Sequence, residues 1–176
     1  NQSHFFDLIY FHAKDDTSSA VVIKKGSIQS QENSVIGASF KNTFLKKITW
    51  TGDIAASGIT NDLTAPKADS LPGWVFDKIF GRLMPYRSST TVSFGGQTAL
   101  SIALKNYNTT LGYRRVQPGF KSLGTPYMLK DIELFNWMNN LNVLKSKLNI
   151  NATFSDQHNN LKKDLTFDNF VVGDTN

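Results

Sequence analysis

Several features are scarce or missing in this chain of 176 residues. It has no cysteine, which excludes a disulfide framework and a thiolate metal site. Charged residues make up only 19% of it, below the usual quarter. No apolar run approaches the ~20 residues that a membrane-spanning helix needs. The net charge of +5 comes from scattered Lys and Arg rather than from a basic band, so we expect no nucleic-acid partner.

Residues that carry out catalysis or bind metals are also sparse. The histidines His4, His12 and His158 are far apart and show none of the usual metal-ligand spacings. No nucleophile-elbow motif is present. Asp156 near His158 is the one lead toward an acid–base pair, and polar residues are ordinary at the end of a strand. We therefore expect no catalytic residues, no cofactor and no metal site.

What the chain does have is alternation, clearest from Lys147 to Ser155. There Leu148, Ile150, Ala152 and Phe154 alternate with Asn149, Asn151, Thr153 and Ser155. Successive side chains of a strand point to opposite faces, so one face is apolar and the other is polar but uncharged. Apolar residues toward lipid and neutral polar residues toward a wet interior are typical of a membrane β-barrel strand.

Similar but less regular patterns predict further strands, about eight in all. They cover 5–11, 35–40, 48–58, 92–104, 109–116, 132–143, 148–155 and 165–172. Gly95 and Gly96 lie inside one of these runs and predict a bulge or a bend.

The connections between the runs alternate in length. Short joins at 42–47, 105–108 and 144–147 predict antiparallel hairpins. The other joins are long, at about 13–33, 60–89, 117–130 and 157–164. Short turns on one rim and long loops on the other are typical of outer-membrane barrels. A soluble Greek-key sandwich also mixes loop lengths, but nothing requires it to alternate them.

One long connection has a helical pattern of its own from Pro72 to Met84. Proline is common at the start of a helix, and Pro85 would end it. The first interpretation is a short helix that caps or plugs the sheet. The alternative is contact with a membrane surface or a partner groove, because the apolar stripe is wide for so short a helix.

The densest polar cluster is a candidate rim or lumen site formed by Arg114, Arg115 and Lys121. The two arginines must face opposite sides of a strand. One is expected to enter a lumen and meet Asp53 or Glu133, and the other to lie at the membrane rim. A rim turn held by ion pairs is the favoured interpretation, and recognition of an anionic ligand such as lipopolysaccharide phosphate is the alternative.

Several ordered motifs resemble stretches of large outer-membrane β-barrel proteins of Bacteroidota. They are FFDL with AKDD near the start, QENSVIG at 31–37, AASGITND at 55–62, and LGYRRVQPGFKSLG at 111–124, followed by a hairpin and 148–160. The similarity spans roughly Phe5 to Leu161. It implies an outer-membrane barrel with an accessory role in secretion or assembly, and it provides no catalytic residues.

The chain departs from that family in length and in its ending. It is much shorter, and it ends on Gly173 to Asn176 instead of an aromatic residue. It also begins without Met or a signal peptide. These departures favour a processed product or a stretch of a larger barrel.

The sequence therefore predicts an all-β, antiparallel up-and-down transmembrane barrel or barrel segment, with residues 1–176 as one domain. The expected function is a structural or accessory role in a bacterial outer-membrane complex for secretion, assembly or transport. The expected partners are outer-membrane lipid, lipopolysaccharide and other envelope subunits. The main alternative is a secreted, soluble β-sandwich that binds glycan. A small lipid-acting enzyme built on His158 and Asp156 is the least favoured.

Overall fold

A computed structural model describes residues 3–16, 29–68, 78, 80–125, 127–143 and 147–161. Seven long β-strands account for most of these residues. They are β1 (His4–Lys14), β2 (Glu32–Phe44), β3 (Ile48–Thr60), β4 (Thr90–Ala103), β5 (Tyr107–Val116), β6 (Ile132–Val143) and β7 (Leu148–Asn159).

The seven strands form one sheet in the order β1-β2-β3-β4-β5-β6-β7, and every neighbouring pair is antiparallel. The prediction of an all-β, up-and-down arrangement is confirmed. Each strand pairs with the next one in sequence. The short joins therefore lie at one end of the strands, and the long connections lie at the other, which is the long-loop end of the sheet.

The barrel itself is not shown. Among the described residues, β1 pairs only with β2 and β7 only with β6, so the sheet has two free edges. The expected eighth strand, at 165–172, lies outside the described residues. So does most of the helix expected from Pro72 to Met84, and its described end is a turn in which the amides of Leu83 and Met84 donate to the Phe80 carbonyl.

The bulge expected at Gly95 and Gly96 is absent. The register passes both glycines without an inserted residue on either side, with Gly95 opposite Ala55 and Val116. Gly95 instead leaves room for a loop residue, because a Cβ there would lie 3.3 Å from the Phe120 ring.

A tight turn joins β2 to β3. Leu45 and Lys46 both have positive φ, at 52° and 56°, and the Lys47 amide donates to the Phe44 carbonyl at 3.0 Å. Two consecutive positive φ values define the type I′ turn, whose twist matches that of the strands it joins. The turn lacks the Asn-Gly sequence that this type prefers, and Lys47 lies between it and the first strand pair, Phe44 with Ile48.

The register divides the strand residues into two faces, since directly opposed residues point to the same side of the sheet. The apolar face is the side that carries Leu8, Ile54, Leu100, Leu111 and Phe154. The cleft face is the other side, which carries Asp53, Gln97 and Arg114 together with two open clefts.

Two small buried clusters lie at the long-loop end, one on each face. On the apolar face, Phe80, Met84 and Tyr86 from the β3–β4 connection pack against β3 and β4. On the cleft face, Phe120 from the β5–β6 connection packs with Val116 and Ile132. These long connections therefore cover the sheet only at its long-loop end.

Candidate functional site

The rest of the apolar face carries large hydrophobic side chains that nothing covers. Leu8 is 73% exposed and Ile54 62% exposed, with Trp50, Trp137 and Phe154 exposed beside them. Monomeric soluble proteins seldom expose a contiguous apolar surface that spans a whole sheet. An exposed apolar surface of this extent is typical of an interaction or membrane-contact face.

Charged side chains on the apolar face are confined to its long-loop end. They are Lys14, Glu32, Arg115, Glu133 and Asp156. At the opposite end the described turns carry Lys46, Lys47, Lys105 and Lys147, beyond the strands. An uncharged band thus lies between two charged margins.

Several polar atoms inside this band are hydrogen-bonded within the sheet. Trp50 Nε1 donates to Thr98 Oγ1 at 2.9 Å, and Trp137 Nε1 donates to Thr109 Oγ1 at 3.0 Å. Tyr107 donates its hydroxyl to Asn139 Oδ1 at 2.7 Å. Internal pairing of this kind is what a hydrocarbon environment demands, because an unsatisfied polar group there costs several kcal/mol.

The apolar band runs obliquely across the strands. On β1 its centre is Leu8, which lies on one cross-strand row with Ala38, Ile54, Gly96, Arg115, Glu133 and His158. On β7 the residue of that row is His158, but the centre of the apolar band is Ala152, six residues away. The band therefore shifts by about one residue per strand pair. With a rise of ~3.3 Å per residue and a strand spacing of ~4.8 Å, that shift corresponds to an inclination of roughly 35°.

On the cleft face, the β5–β6 connection is held down by one buried side chain, Asn33. It is fully buried, and its Nδ2 donates to Ser57 Oγ at 3.0 Å and to the Gly58 carbonyl at 2.9 Å. Its Oδ1 accepts the Leu123 amide at 3.0 Å. Ser57 Oγ also donates to the Lys121 carbonyl. These bonds fix residues 121–123 over the long-loop end of the cleft face.

The three residues of the predicted rim or lumen cluster separate in the structure. Arg115 lies on the apolar face and pairs with Glu133 at 2.9 Å, while Tyr113 donates its hydroxyl to the same carboxylate at 2.6 Å. Arg114 lies on the cleft face. Lys121 Nζ donates to Gln31 Oε1 at 3.0 Å.

Arg114 and Asp53 share a cross-strand row, but Gln97 stands between them and donates to Asp53 Oδ2 at 2.9 Å. Among the described residues no carboxylate lies within ion-pair distance of Arg114. The half-buried guanidinium therefore faces the clefts without a salt-bridge partner.

His158 and Asp156 do meet, with Nε2 and Oδ2 3.0 Å apart. Both side chains are exposed on β7, at 65% and 52%, on the charged margin of the apolar face. Within the described part of the chain no group of three His, Asp or Glu is arranged to hold a metal ion.

Sequence reasoning missed Asn33 as an organising residue. The signal for it was weak: asparagine is disfavoured inside strands, yet here it is the second residue of β2, within the polar run Gln31 to Ser34. Its partners are distant in sequence, up to 90 residues away, so no local pattern identifies them.

Comparison with known proteins gave no match to a family model, to a curated protein or to a solved structure.

None of the helices in the described ranges is long and apolar enough to cross a membrane.

Proposed function

We propose that this chain is an outer-membrane β-barrel protein, or a stretch of one, with a structural or accessory role in an outer-membrane complex. The role is in secretion, assembly or transport and involves no catalysis. The observation that carries the proposal is the oblique, uncharged band on the apolar face. Strands of membrane barrels tilt by 35–45° from the barrel axis. The residues at one depth in the membrane therefore form a band that is inclined to the cross-strand rows.

The height of the band supports the same assignment. On β6 it runs from Phe135 to Val143, a length of roughly 27 Å along the strand. Inclined by about 35°, this length projects to roughly 22 Å, close to the ~25 Å apolar belt of outer-membrane barrels. The aromatic residues Tyr113, Phe135, Trp137 and Phe154 lie toward its long-loop border, as interfacial aromatic residues do.

The partners follow from the margins and the edges. Lipid covers the apolar face, and the charged margin at the long-loop end, with Lys14 and the Arg115–Glu133 pair, meets the lipopolysaccharide headgroups. The free edges of β1 and β7 need further strands, because unpaired backbone groups are not tolerated in hydrocarbon. Other envelope subunits bind the assembled barrel. The motif resemblance supports an origin in Bacteroidota.

A fractionation experiment tests the proposal. The chain is expressed with an export signal in a Gram-negative host, and the envelope is washed with alkaline carbonate before extraction. We expect the chain to remain with the outer membrane and to be released only by detergent. Recovery from the periplasm as a detergent-free monomer contradicts the proposal.

The alternative function is a secreted β-sandwich that binds glycan, and one observation favours it: aromatic side chains are exposed on one sheet face. A sandwich needs a second sheet to bury its apolar surface, whereas the described residues form a single sheet. Detergent-free solubility together with retention on immobilised glycans is the result that would support this alternative.

A further inference from the structure

The larger cleft lies between the cleft face and the β5–β6 connection. It measures about 520 Å³, within the range of small-molecule sites. Much of its lining is apolar: Ile9 and Phe11 from β1, Val116 from β5, and Phe120 and Met128 from the connection. Such a lining suits a hydrocarbon chain.

The cleft exists because side chains are missing from its floor. Gly37, Ala55 and Gly95 lie on one cross-strand row, flanked by Ile9 and Val116. A Cβ added at Gly37 would make only ordinary contacts with its neighbours in the sheet, the nearest 3.4 Å away at the Ile54 carbonyl oxygen. Small residues on three successive strands leave a trough, and the Phe120 ring covers its Gly95 end.

One end of this trough is cationic. Arg114 lines both the larger cleft and an adjoining one of about 330 Å³, as do Asp53 and Gln97. Asp53, the one carboxylate in the described lining, is two strands away, roughly 10 Å in the sheet, and is already bonded to Gln97. Arg114 is therefore the cationic donor of this lining that an anionic group can bind.

We propose that this cleft binds a single-chain carboxylate amphiphile, with the carboxylate on Arg114 and the hydrocarbon chain between Phe120, Val116 and Phe11. The planar guanidinium fork matches a carboxylate in a bidentate arrangement. The volume is of the order that one hydrocarbon chain occupies. The site lies on the cleft face, opposite the apolar face, so it does not depend on the proposed membrane function.

Photolabelling with a dodecanoic acid that carries a diazirine near the end of its chain tests the proposal. The full chain is labelled in phosphatidylcholine vesicles, or in buffer if it proves soluble, and the labelled residues are mapped by mass spectrometry. We expect saturable labelling around Val116 and Phe120 that unlabelled dodecanoate displaces and dodecanol displaces about tenfold less well. Labelling that does not saturate and falls equally on the apolar face overturns the proposal, as does equal displacement by the alcohol.

Three variants locate the contacts. Arg114→Gln is expected to weaken displacement by dodecanoate about tenfold, whereas Arg114→Lys, which keeps the charge, loses less. Gly37→Leu fills the trough and abolishes saturable labelling. The matched control is Arg115→Gln, one residue along and on the other face, which leaves labelling unchanged within about twofold. Equal effects of Arg114→Gln and Arg115→Gln contradict the assignment.

Discussion

At the scale of single residues, neighbouring positions on one strand serve two different environments. Arg115 pairs with Glu133 on the apolar face, and Arg114 faces the clefts with no carboxylate within ion-pair distance among the described residues. The separation follows from strand geometry alone, because adjacent side chains point to opposite sides. A substitution therefore has consequences that depend on the face it lies on.

The alternation of β7 gives the simplest test at this scale. Ile150 lies in the middle of the apolar band, and Asn151 lies on the other face. In a lipid-based unfolding assay, Ile150→Arg is expected to lower the free energy of unfolding by about 2–4 kcal/mol, because a cation then faces hydrocarbon. Asn151→Arg is expected to cost clearly less. Equal losses at the two positions contradict the face assignment.

The buried Asn33 gives a second residue-scale prediction. Asn33→Ala leaves the Leu123 amide without its acceptor and removes the bonds to Ser57 and Gly58. A buried unsatisfied group costs about 1–3 kcal/mol, so we expect a loss of about 3 kcal/mol for the set. Denaturant unfolding measures the loss, and hydrogen exchange shows a faster Leu123 amide.

The control for this variant is Asn151→Ala, an exposed asparagine, which is expected to change stability by at most about 0.5 kcal/mol. If Asn33→Ala is as mild as the control, the β5–β6 connection is not held by this side chain.

At the scale of elements, the strands were predictable and their connections were not. The runs at 132–143 and 48–58 were found from alternation because each strand has one apolar side, and β3 extends the second run only to Thr60. β1 extends beyond the predicted run 5–11 to Lys14, because His12 to Lys14 pair with the start of β2, which the sequence pattern does not show. The positions of the long connections depend on distant partners, and no local pattern reveals those.

The segment that covers the upper apolar face illustrates this point. The apolar spacing from Pro72 to Met84 indicated a capping element, and Phe80, Met84 and Tyr86 do cover β3 and β4. What the sequence did not show is the fit against Gly58, where a Cβ would lie 2.7 Å from the Phe80 ring. A glycine on a strand is the only local sign of such a close approach.

Truncating Phe80 tests that element. Phe80 is fully buried, so Phe80→Ala is expected to destabilise the cover by about 3–5 kcal/mol. Because the natural chain has no cysteine, a single cysteine at Val92 reports on the covered surface. We expect maleimide to label it faster in the Phe80→Ala background, while a cysteine at the already exposed Leu45 reacts at an unchanged rate. Unchanged labelling at Val92 contradicts the cover.

At the scale of the whole molecule, the arrangement of the apolar band says more about its environment than its composition does. Alternation on one strand is compatible with either a soluble sheet or a membrane barrel. The drift of the band across seven strands adds a direction, and that direction matches the tilt of barrel strands. This drift needs the register, which the sequence does not provide, so the tilt emerges only from the structure.

The most direct test of the membrane assignment is the depth of three single spin labels in reconstituted bilayers, at positions 8, 152 and 158. Leu8 and His158 share a cross-strand row, whereas Leu8 and Ala152 share the centre of the oblique band. We predict that labels at 8 and 152 lie at equal depth in the hydrocarbon and that the label at 158 lies in water. Equal depth for the labels at 8 and 158, or access of water-soluble relaxants to all three positions, contradicts the membrane assignment.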